Sequence, residues 1–299
     1  MRLNRWVIVG LALAAVSACD LIQQATANHV LLGTVLTTPT IEIKGNALVL
    51  PPVDFDASFP ADSGFSFDAG TFLNDAGLSI PPQSVAYIFF GTIPGPSSIE
   101  APMGVSGAQA TVGVAGGAQV AVNDVGSGAY LLIGNDGGVG YVEGAKYQLN
   151  IKSGGALYTC SVDKAPGVEK IPELHPSAGY LDLARNTAVV LNRPDLPGGG
   201  ELNLGFIAVF GVDVFNGKDT KPTWTNLPQT PLELLQLVAA PIPWRQKSFT
   251  IPGSAFPEAG KNYVIVFQSA KMGGPDTPNL SVLSLAAAGT ADLGIVKTH

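Results

Sequence analysis

The chain has 299 residues, with 16 basic and 23 acidic side chains and a net charge of −7. This acidic balance, with no concentrated basic stretch, excludes a protein that tracks the phosphate backbone of a nucleic acid. Charged residues make up 13% and hydrophobic residues 46% of the chain, which supplies enough apolar material for a core and excludes a disordered protein.

The first predicted element is an export signal at the N-terminus. Two arginines lie within residues 1–5, an apolar run follows from Trp6 to Val16, and small residues precede Cys19. A helix that crosses a membrane needs about 20 apolar residues, and this run has roughly half that number before Asp20 ends it. The pattern therefore predicts a cleaved secretory signal rather than a retained transmembrane helix.

The end of this signal carries a motif for lipid attachment. Val16-Ser17-Ala18-Cys19 resembles the lipobox of bacterial lipoproteins, in which a branched aliphatic residue and two small residues precede a cysteine. The resemblance implies cleavage between Ala18 and Cys19, a diacylglyceryl group on the Cys19 sulfur and a fatty acyl group such as palmitate on the new amine. A chance cysteine at the end of an ordinary signal is the alternative interpretation.

The resemblance also implies a location in the bacterial cell envelope. Signal peptide 1–18 would be removed, and residues 19–28 would form a lipidated tether. Asp20 favours retention facing the periplasm, although the membrane leaflet stays open. The chain from Cys19 onward has 14 basic and 23 acidic residues, a net charge of −9, so attraction to anionic lipid headgroups is not expected beyond the anchor. The expected partner is the membrane, held through Cys19.

The rest of the sequence predicts an all-β fold. Its 36 glycines and 23 prolines fall between short apolar runs, a pattern typical of short strands joined by turns. A mature chain of this length exceeds one typical sandwich and fits two. We therefore predict a β-sandwich domain at 29–163, a proline-containing linker at 164–177 and a second β-sandwich domain at 178–299.

Two segments share a pattern that indicates a duplicated domain. A glycine stands three residues before Tyr147 and before Tyr263, and a strand follows each tyrosine. Upstream, the apolar runs 85–91 and 206–211 lie at similar offsets. The element resembles the start of strand F in immunoglobulin-like and fibronectin type III-like sandwiches, which implies that each tyrosine is a structural corner whose hydroxyl bonds back to the preceding backbone. Chance similarity between glycine-rich strands is the alternative.

Two further features of the mature chain are structural. Thr230-Pro231-Leu232-Glu233 combines a capping-box spacing with proline at the first helical position, which predicts one short helix in the second domain, ended by Pro241. Cys160 has no partner for a disulfide once Cys19 carries lipid. A buried core thiol is favoured for it over a reactive one.

Side chains that carry catalysis are sparse in this sequence. The three histidines, His29, His175 and His299, lie at the tether, in the linker and at the last residue, and we expect none of them to stand on a strand end facing a plausible partner. A Gly-x-Ser-x-Gly elbow and a His-Glu-x-x-His zinc motif are both missing from the sequence. These features predict a protein without catalytic residues and without a cofactor.

Two weaker candidates for binding sites remain. Asp54 and Asp56 begin an acidic cluster that continues to Asp75, and their carboxylates are weak candidates for Ca²⁺ ligands, with solvated aspartates in turns as the alternative. Trp224 and Trp244 are the only tryptophans after cleavage. Their rings are candidates for stacking on a sugar, and packing on the sandwich core is the favoured alternative.

These observations together predict a membrane-anchored envelope lipoprotein that acts as a non-enzymatic binding or scaffolding module. Its expected partners are an envelope protein or a glycan. Two alternatives stay open: a carbohydrate-acting hydrolase whose site is built from loops, and a calcium-dependent surface adhesin. The fold class does not choose among them, because sandwiches host unrelated functions.

Overall fold

The computed structural model describes residues 27–38, 40–43, 78–80, 83–95, 102–135, 139–195, 202–211, 222–227, 237 and 240–299. Strands dominate these ranges, which confirms the all-β class; their helical parts are three single-turn 3-10 helices and the lone helical residue Leu237. The helix predicted from Thr230 lies outside the described residues except for Leu237. Within those residues we find no helix with the length and apolar character needed to span a membrane.

Seventeen strands follow one another along the described chain. They are β1 (His29–Thr37), β2 (Ile41–Ile43), β3 (Leu78–Ile80), β4 (Gln83–Thr92), β5 (Met103–Gly104), β6 (Gln109–Val114), β7 (Gln119–Gly126), β8 (Ala129–Asn135), β9 (Tyr147–Ser153), β10 (Ala156–Val162), β11 (Leu181–Leu183), β12 (Val189–Asn192), β13 (Leu204–Gly211), β14 (Trp224–Thr225), β15 (Ser248–Ile251), β16 (Asn262–Pro275) and β17 (Leu285–Thr298). The 3-10 helices are Pro172–Leu174, Ile242–Trp244 and Gly253–Ala255.

Nine of these strands hydrogen-bond in a closed ring. Their order is β17–β1–β4–β8–β7–β6–β9–β10–β16, and β16 pairs with β17 to complete the ring. Neighbours are antiparallel except β1 and β17, which run parallel with Leu32 beside Leu285. Closure gives each of these nine strands a hydrogen-bonded neighbour on both sides. Binding of another protein by addition of a strand is therefore disfavoured along the ring.

Alternation along the strands decides which side chains face the interior of the ring. In β9, Tyr147, Leu149 and Ile151 are fully buried, while the residues between them are more exposed. The turn from β9 to β10 uses Gly154 and Gly155, both at positive φ, which suits a two-residue hairpin whose twist matches that of its strands. The period-two pattern thus gives the β6–β9–β10 sheet an apolar inner face and a separate outer face.

We call the part of the molecule built from β1–β10 the first half and the part built from β11–β17 the second half. The C-terminal hairpin of β16 and β17 contributes to both. Each strand has 14 residues, which corresponds to about 46 Å at ~3.3 Å per residue. Toward one end the hairpin pairs with β13 and β11. At its other end β16 pairs with β10, and β17 pairs with β1. The hairpin therefore completes the ring of the first half while it forms the centre of the second.

Two hydrophobic cores lie along this hairpin. The first is built mainly from β1 to β10 and also takes Ala286 and Ala288 from β17. The second is built from β12 to β17. The predicted linker is packed onto both, since Ala165 joins the first core and Ile171 and Leu174 join the second. The domain limits drawn from the sequence stay a prediction, and the hairpin contributes to the first core from beyond them.

The apolar runs that the sequence pattern matched occupy different places. β13 pairs directly with β16, the strand that carries Tyr263. β4 pairs with β1 and β8, whereas β6 is the strand beside Tyr147. The match of 85–91 with 206–211 was therefore wrong, because any buried strand has a similar apolar composition.

Candidate functional site

A shallow groove of about 410 Å³, lined mostly by residues with polar side chains, lies on the outer face of the β7–β6–β9–β10 sheet. The alternation that buries Leu149 and Ile151 turns Gln148, Asn150 and Lys152 outward on the same strand. Neighbouring strands add Thr111, Gln119, Leu157 and Thr159 to the lining. The amide and hydroxyl groups, which are spread over residues 109–159, therefore meet on this face because of strand period and register.

A chain of hydrogen bonds orients the side chains of the groove. The Thr159 hydroxyl donates to Asn150 Oδ1 at 2.8 Å, and Asn150 Nδ2 donates to Gln119 Oε1 at 3.1 Å. Gln119 Nε2 then donates to the Val114 carbonyl at 3.0 Å. These hydrogen bonds fix which ends of the two amides face each other, and each amide keeps one donor hydrogen and one acceptor lone pair beyond them.

A glycine creates the space for this arrangement. Gly113 stands in register between Gln119 on β7 and Gln148 on β9. A Cβ at position 113 would overlap the Ala118 carbonyl oxygen and would approach the Gln119 amide. The missing side chain lets Gln119 lie across β6 toward Asn150.

The charge of the groove is close to neutral. Lys152 is the one ionisable side chain among its lining residues, which include no carboxylate, histidine or cysteine. Paired donors and acceptors on amides complement a ligand that carries hydroxyl or amide groups. Lys152 is also the one side chain of this lining that could serve as a general acid or base.

The predicted corner tyrosines make matching contacts in the two halves. The Tyr147 hydroxyl accepts from the Val142 N–H at 2.7 Å and donates to the Gly140 carbonyl at 3.2 Å. The Tyr263 hydroxyl accepts from the Glu258 N–H at 3.1 Å. In each half the donor lies five residues before the tyrosine. Both rings are buried, so each tyrosine connects the loop that precedes its strand to the hydrophobic core of its half.

The two tryptophans lie on the second half, away from the groove. Trp244 is only 5% exposed, and its indole N–H donates to the Asn226 carbonyl at 2.7 Å. Its ring packs in a small cluster with Phe206 and Leu204, and a ring in that position has no face left for a sugar. Trp224 is partly buried against the second core. Both positions correspond to the alternative in which the tryptophans pack on the core of the sandwich instead of stacking on a sugar.

Several residues singled out in the sequence lie outside the described ranges. They are the cleavage pair Ala18 and Cys19 and the acidic candidates Asp54 and Asp56. Among the described residues, no group of three or more histidine, cysteine, aspartate and glutamate side chains is arranged to hold a metal ion. Cys160 is a buried free cysteine, as expected, and burial raises the pKa of its thiol to about 12.

The expectation that no histidine faces a plausible partner was wrong. His175 Nε2 lies 2.8 Å and 3.0 Å from the two carboxylate oxygens of Asp292, which is itself 4% exposed. The Ile171 N–H donates to the same carboxylate at 2.8 Å. The pair joins the segment after β10 to β17, across 117 residues, so no local pattern in the sequence could have indicated it.

A second polar cluster, which was not predicted from the sequence, lies beside the second core. Glu169 receives Arg193 Nε at 2.7 Å and Arg193 Nη2 at 2.6 Å, and the Ser269 hydroxyl donates to it at 2.5 Å. Burial alone would raise the pKa of Glu169, but the hydrogen bonds from Arg193 and Ser269 outweigh it and hold this pKa below its ordinary value. The cluster has its hydrogen bonds satisfied and attaches the predicted linker to β12 and β16.

Comparisons with known proteins do not assign this chain to a family. A scan against protein-family models finds no match. A search of curated proteins likewise finds no significant match. The functional argument therefore rests on the residues and on their geometry.

Proposed function

We propose that the chain is a membrane-anchored lipoprotein of the bacterial envelope whose two immunoglobulin-like sandwiches form a non-enzymatic binding module. In this proposal a neutral glycan binds in the groove on the β7–β6–β9–β10 sheet. The observation that carries the proposal is the groove itself, a face of ordered amides and hydroxyls with one lysine and no titratable pair.

Mainly antiparallel strands around two apolar cores support the immunoglobulin-like assignment. In the first half, β1 to β10 enclose one core, with hydrogen bonds that continue from β7 to β6. In the second half, β12 and β15 pair with each other and pack in one core with β13 and β16. Tyr147 and Tyr263 each lie at the start of a strand that has neighbours on both sides, where the corner tyrosine of such sandwiches stands.

Hydrogen-bonding capacity supports a glycan as the ligand class. Sugar hydroxyls both donate and accept, and the amides of Gln119, Gln148 and Asn150 offer both functions side by side. A hydrolase would need two carboxylates at a defined separation, and the lining residues include no carboxylate.

Affinity electrophoresis through gels that contain neutral polysaccharides tests the ligand. We expect retardation of the wild-type protein by at least one neutral glucan, mannan or galactan, and loss of this retardation in Asn150→Ala and Gln148→Ala. Gln246→Ala, which removes an exposed amide far from the groove, is the matched control and should behave as the wild type. Absence of retardation in every gel, or equal loss in the control, contradicts the proposal.

Fractionation of cells tests the anchor. Wild-type protein should sediment with membranes, and Cys19→Ser should appear in the soluble envelope fraction, because the acyl chains attached through Cys19 provide the stable attachment. Protease digestion of intact cells then distinguishes a surface from a periplasmic position. Membrane association of Cys19→Ser equal to that of the wild type would contradict lipid anchoring.

A further inference from the structure

The end of the first half at which the chain enters β1 carries a set of exposed apolar side chains. The preceding segment reaches this end at Asn28, whose carbonyl accepts from the Ile93 N–H at 2.8 Å. We call the following five residues the apolar rim: Met103, Val125, Leu157, Val282 and Leu283, which are 67%, 58%, 54%, 49% and 47% exposed.

Strand register and loop contacts place the rim residues at one end. Met103 pairs with Thr92, which pairs in turn with His29 at the start of β1. Val282 and Leu283 follow Ser281, whose N–H donates to the His29 carbonyl at 2.7 Å.

The remaining two rim residues lie at strand ends on the same side. Val125 precedes the β7–β8 turn, where the Phe90 N–H donates to the Gly128 carbonyl at 2.8 Å. Leu157 lies at the start of β10, and its carbonyl accepts from Asn279 Nδ2 at 3.1 Å.

We propose that the apolar rim rests in the interface of the lipid bilayer, so that the first half stands upright on the membrane. This inference depends on the anchor at Cys19. Residues 20–28 number nine and reach at most ~30 Å when extended, so the end that begins at Asn28 is held close to the lipid. Such tethering keeps the local concentration of bilayer high, and a few apolar side chains then suffice for contact.

Charge favours an apolar contact over an electrostatic one. The mature chain is acidic, with a net charge of −9, so anionic headgroups do not attract it as a whole. At this end one exposed anion and one cation offset each other: the Asp124 carboxylate accepts from the N–H groups of Gly107 and Gly126, and Lys152 stands beside Leu157 in register. We therefore expect insertion of the rim to be independent of salt concentration.

Single-site fluorescence on the lipidated, full-length protein in phosphatidylethanolamine/phosphatidylglycerol vesicles tests the proposal. Leu283→Cys and Val142→Cys are labelled with a polarity-sensitive dye, since Cys19 carries lipid and Cys160 is buried. Val142 is a matched control, because it is apolar, 52% exposed and located before β9, at the opposite end of the ring. Val125→Cys provides a second rim position.

The expected result is a blue shift of the label at positions 283 and 125, with quenching by a quencher attached to the acyl chains, and an unchanged spectrum at position 142. Equal spectra at 283 and 142 in protein that floats with vesicles overturn this inference alone. Failure of the wild-type protein to float overturns the anchor and the inference together. A shift at 283 that follows protein concentration without vesicles assigns the rim to a second copy of the chain and also overturns it.

Discussion

At the scale of single residues, two buried tyrosine hydroxyls hold equivalent loops. Each accepts a backbone N–H five residues upstream, from Val142 in the first half and from Glu258 in the second. The glycine three residues before each tyrosine has a positive φ, 77° at Gly144 and 71° at Gly260, which side-chain-bearing residues rarely adopt. The Gly-x-x-Tyr pattern thus encodes a loop conformation together with the hydrogen bond that stabilises it.

Removal of either corner hydroxyl should destabilise the protein moderately. We expect Tyr147→Phe and Tyr263→Phe each to lower the free energy of unfolding by about 1–2 kcal/mol, because a backbone donor loses its partner. Denaturant unfolding followed by circular dichroism measures the change. Tyr87→Phe, at an exposed position, should leave the stability unchanged, and a loss there as large as at the corners would contradict the assignment.

The Glu169–Arg193 pair is the residue-scale feature with the clearest dependence on pH. The folded-state pKa of Glu169 lies below its ordinary value, which is about 4.3 in an unfolded chain. The stabilisation from this carboxylate is therefore fully present above about pH 4.3 and is lost as the pH falls through the folded-state pKa.

Replacement of this carboxylate should weaken that dependence. We expect Glu169→Gln to lose about 3 kcal/mol at pH 7, because Arg193 keeps a buried charge without its partner, and to show a smaller further loss than the wild type between pH 5 and pH 3. Chemical unfolding across this pH range measures both effects. Glu258→Gln, which removes one side of a surface ion pair with Lys261, should cost less than about 0.5 kcal/mol. A wild-type slope retained in Glu169→Gln would contradict the role given to this carboxylate.

At the scale of elements, the ring depends on a short contact between β10 and β16. Only Cys160 with Pro275 and Ser161 with Gly274 are in register there. Lys146 Nζ adds an ion pair with Asp276 at 3.1 Å, just beyond the end of β16. Close approach of the two strands needs a glycine at 273, because a Cβ would overlap the Ser161 carbonyl oxygen.

Two neighbouring glycines test this contact. Gly273→Ala should lower the free energy of unfolding by about 1–3 kcal/mol, since an overpacked position forces the backbone to shift. Gly274→Ala should change it by less than about 0.5 kcal/mol, because a Cβ there meets no atom within 4 Å. Hydrogen exchange of the amides of β10 reports the local effect. Similar behaviour of the two variants would show that the close approach does not limit the ring.

At the scale of the whole molecule, the shared hairpin couples the two halves. β16 and β17 form the centre of the second half and also complete the ring of the first half. The predicted linker adds to this coupling, since Ala165 and Ile171 are buried in different cores. The halves should therefore unfold together instead of as independent domains.

Natural reporters in each half measure this coupling in a Cys19→Ser background. Trp224 and Trp244 lie in the second half, and the buried Cys160 thiol lies in the first. Phe256→Ala should remove about 3–5 kcal/mol from the second core. We expect tryptophan fluorescence and Cys160 labelling to shift to the same lower denaturant midpoint. An unchanged midpoint for Cys160 labelling would show that the halves unfold separately.

Local patterns explain what could be predicted from the sequence. The all-β class follows from short apolar runs between glycine and proline turns, and the two tyrosine hydrogen bonds follow from a four-residue motif. Burial of Cys160 follows from its place in an apolar strand and from the strong tendency of free cysteine to be buried.

The sequence by itself determined the strand-rich class and the hydrogen bonds of Tyr147 and Tyr263, because each depends on residues that are close together in the chain. Only the tertiary structure decided the groove, the His175–Asp292 pair and the closure of the ring by the last hairpin. These features join strands that are far apart in the chain. Which strands become neighbours, and in which register, depends on the packing of the complete set, and a one-residue change of register moves every side chain of a strand to the opposite face.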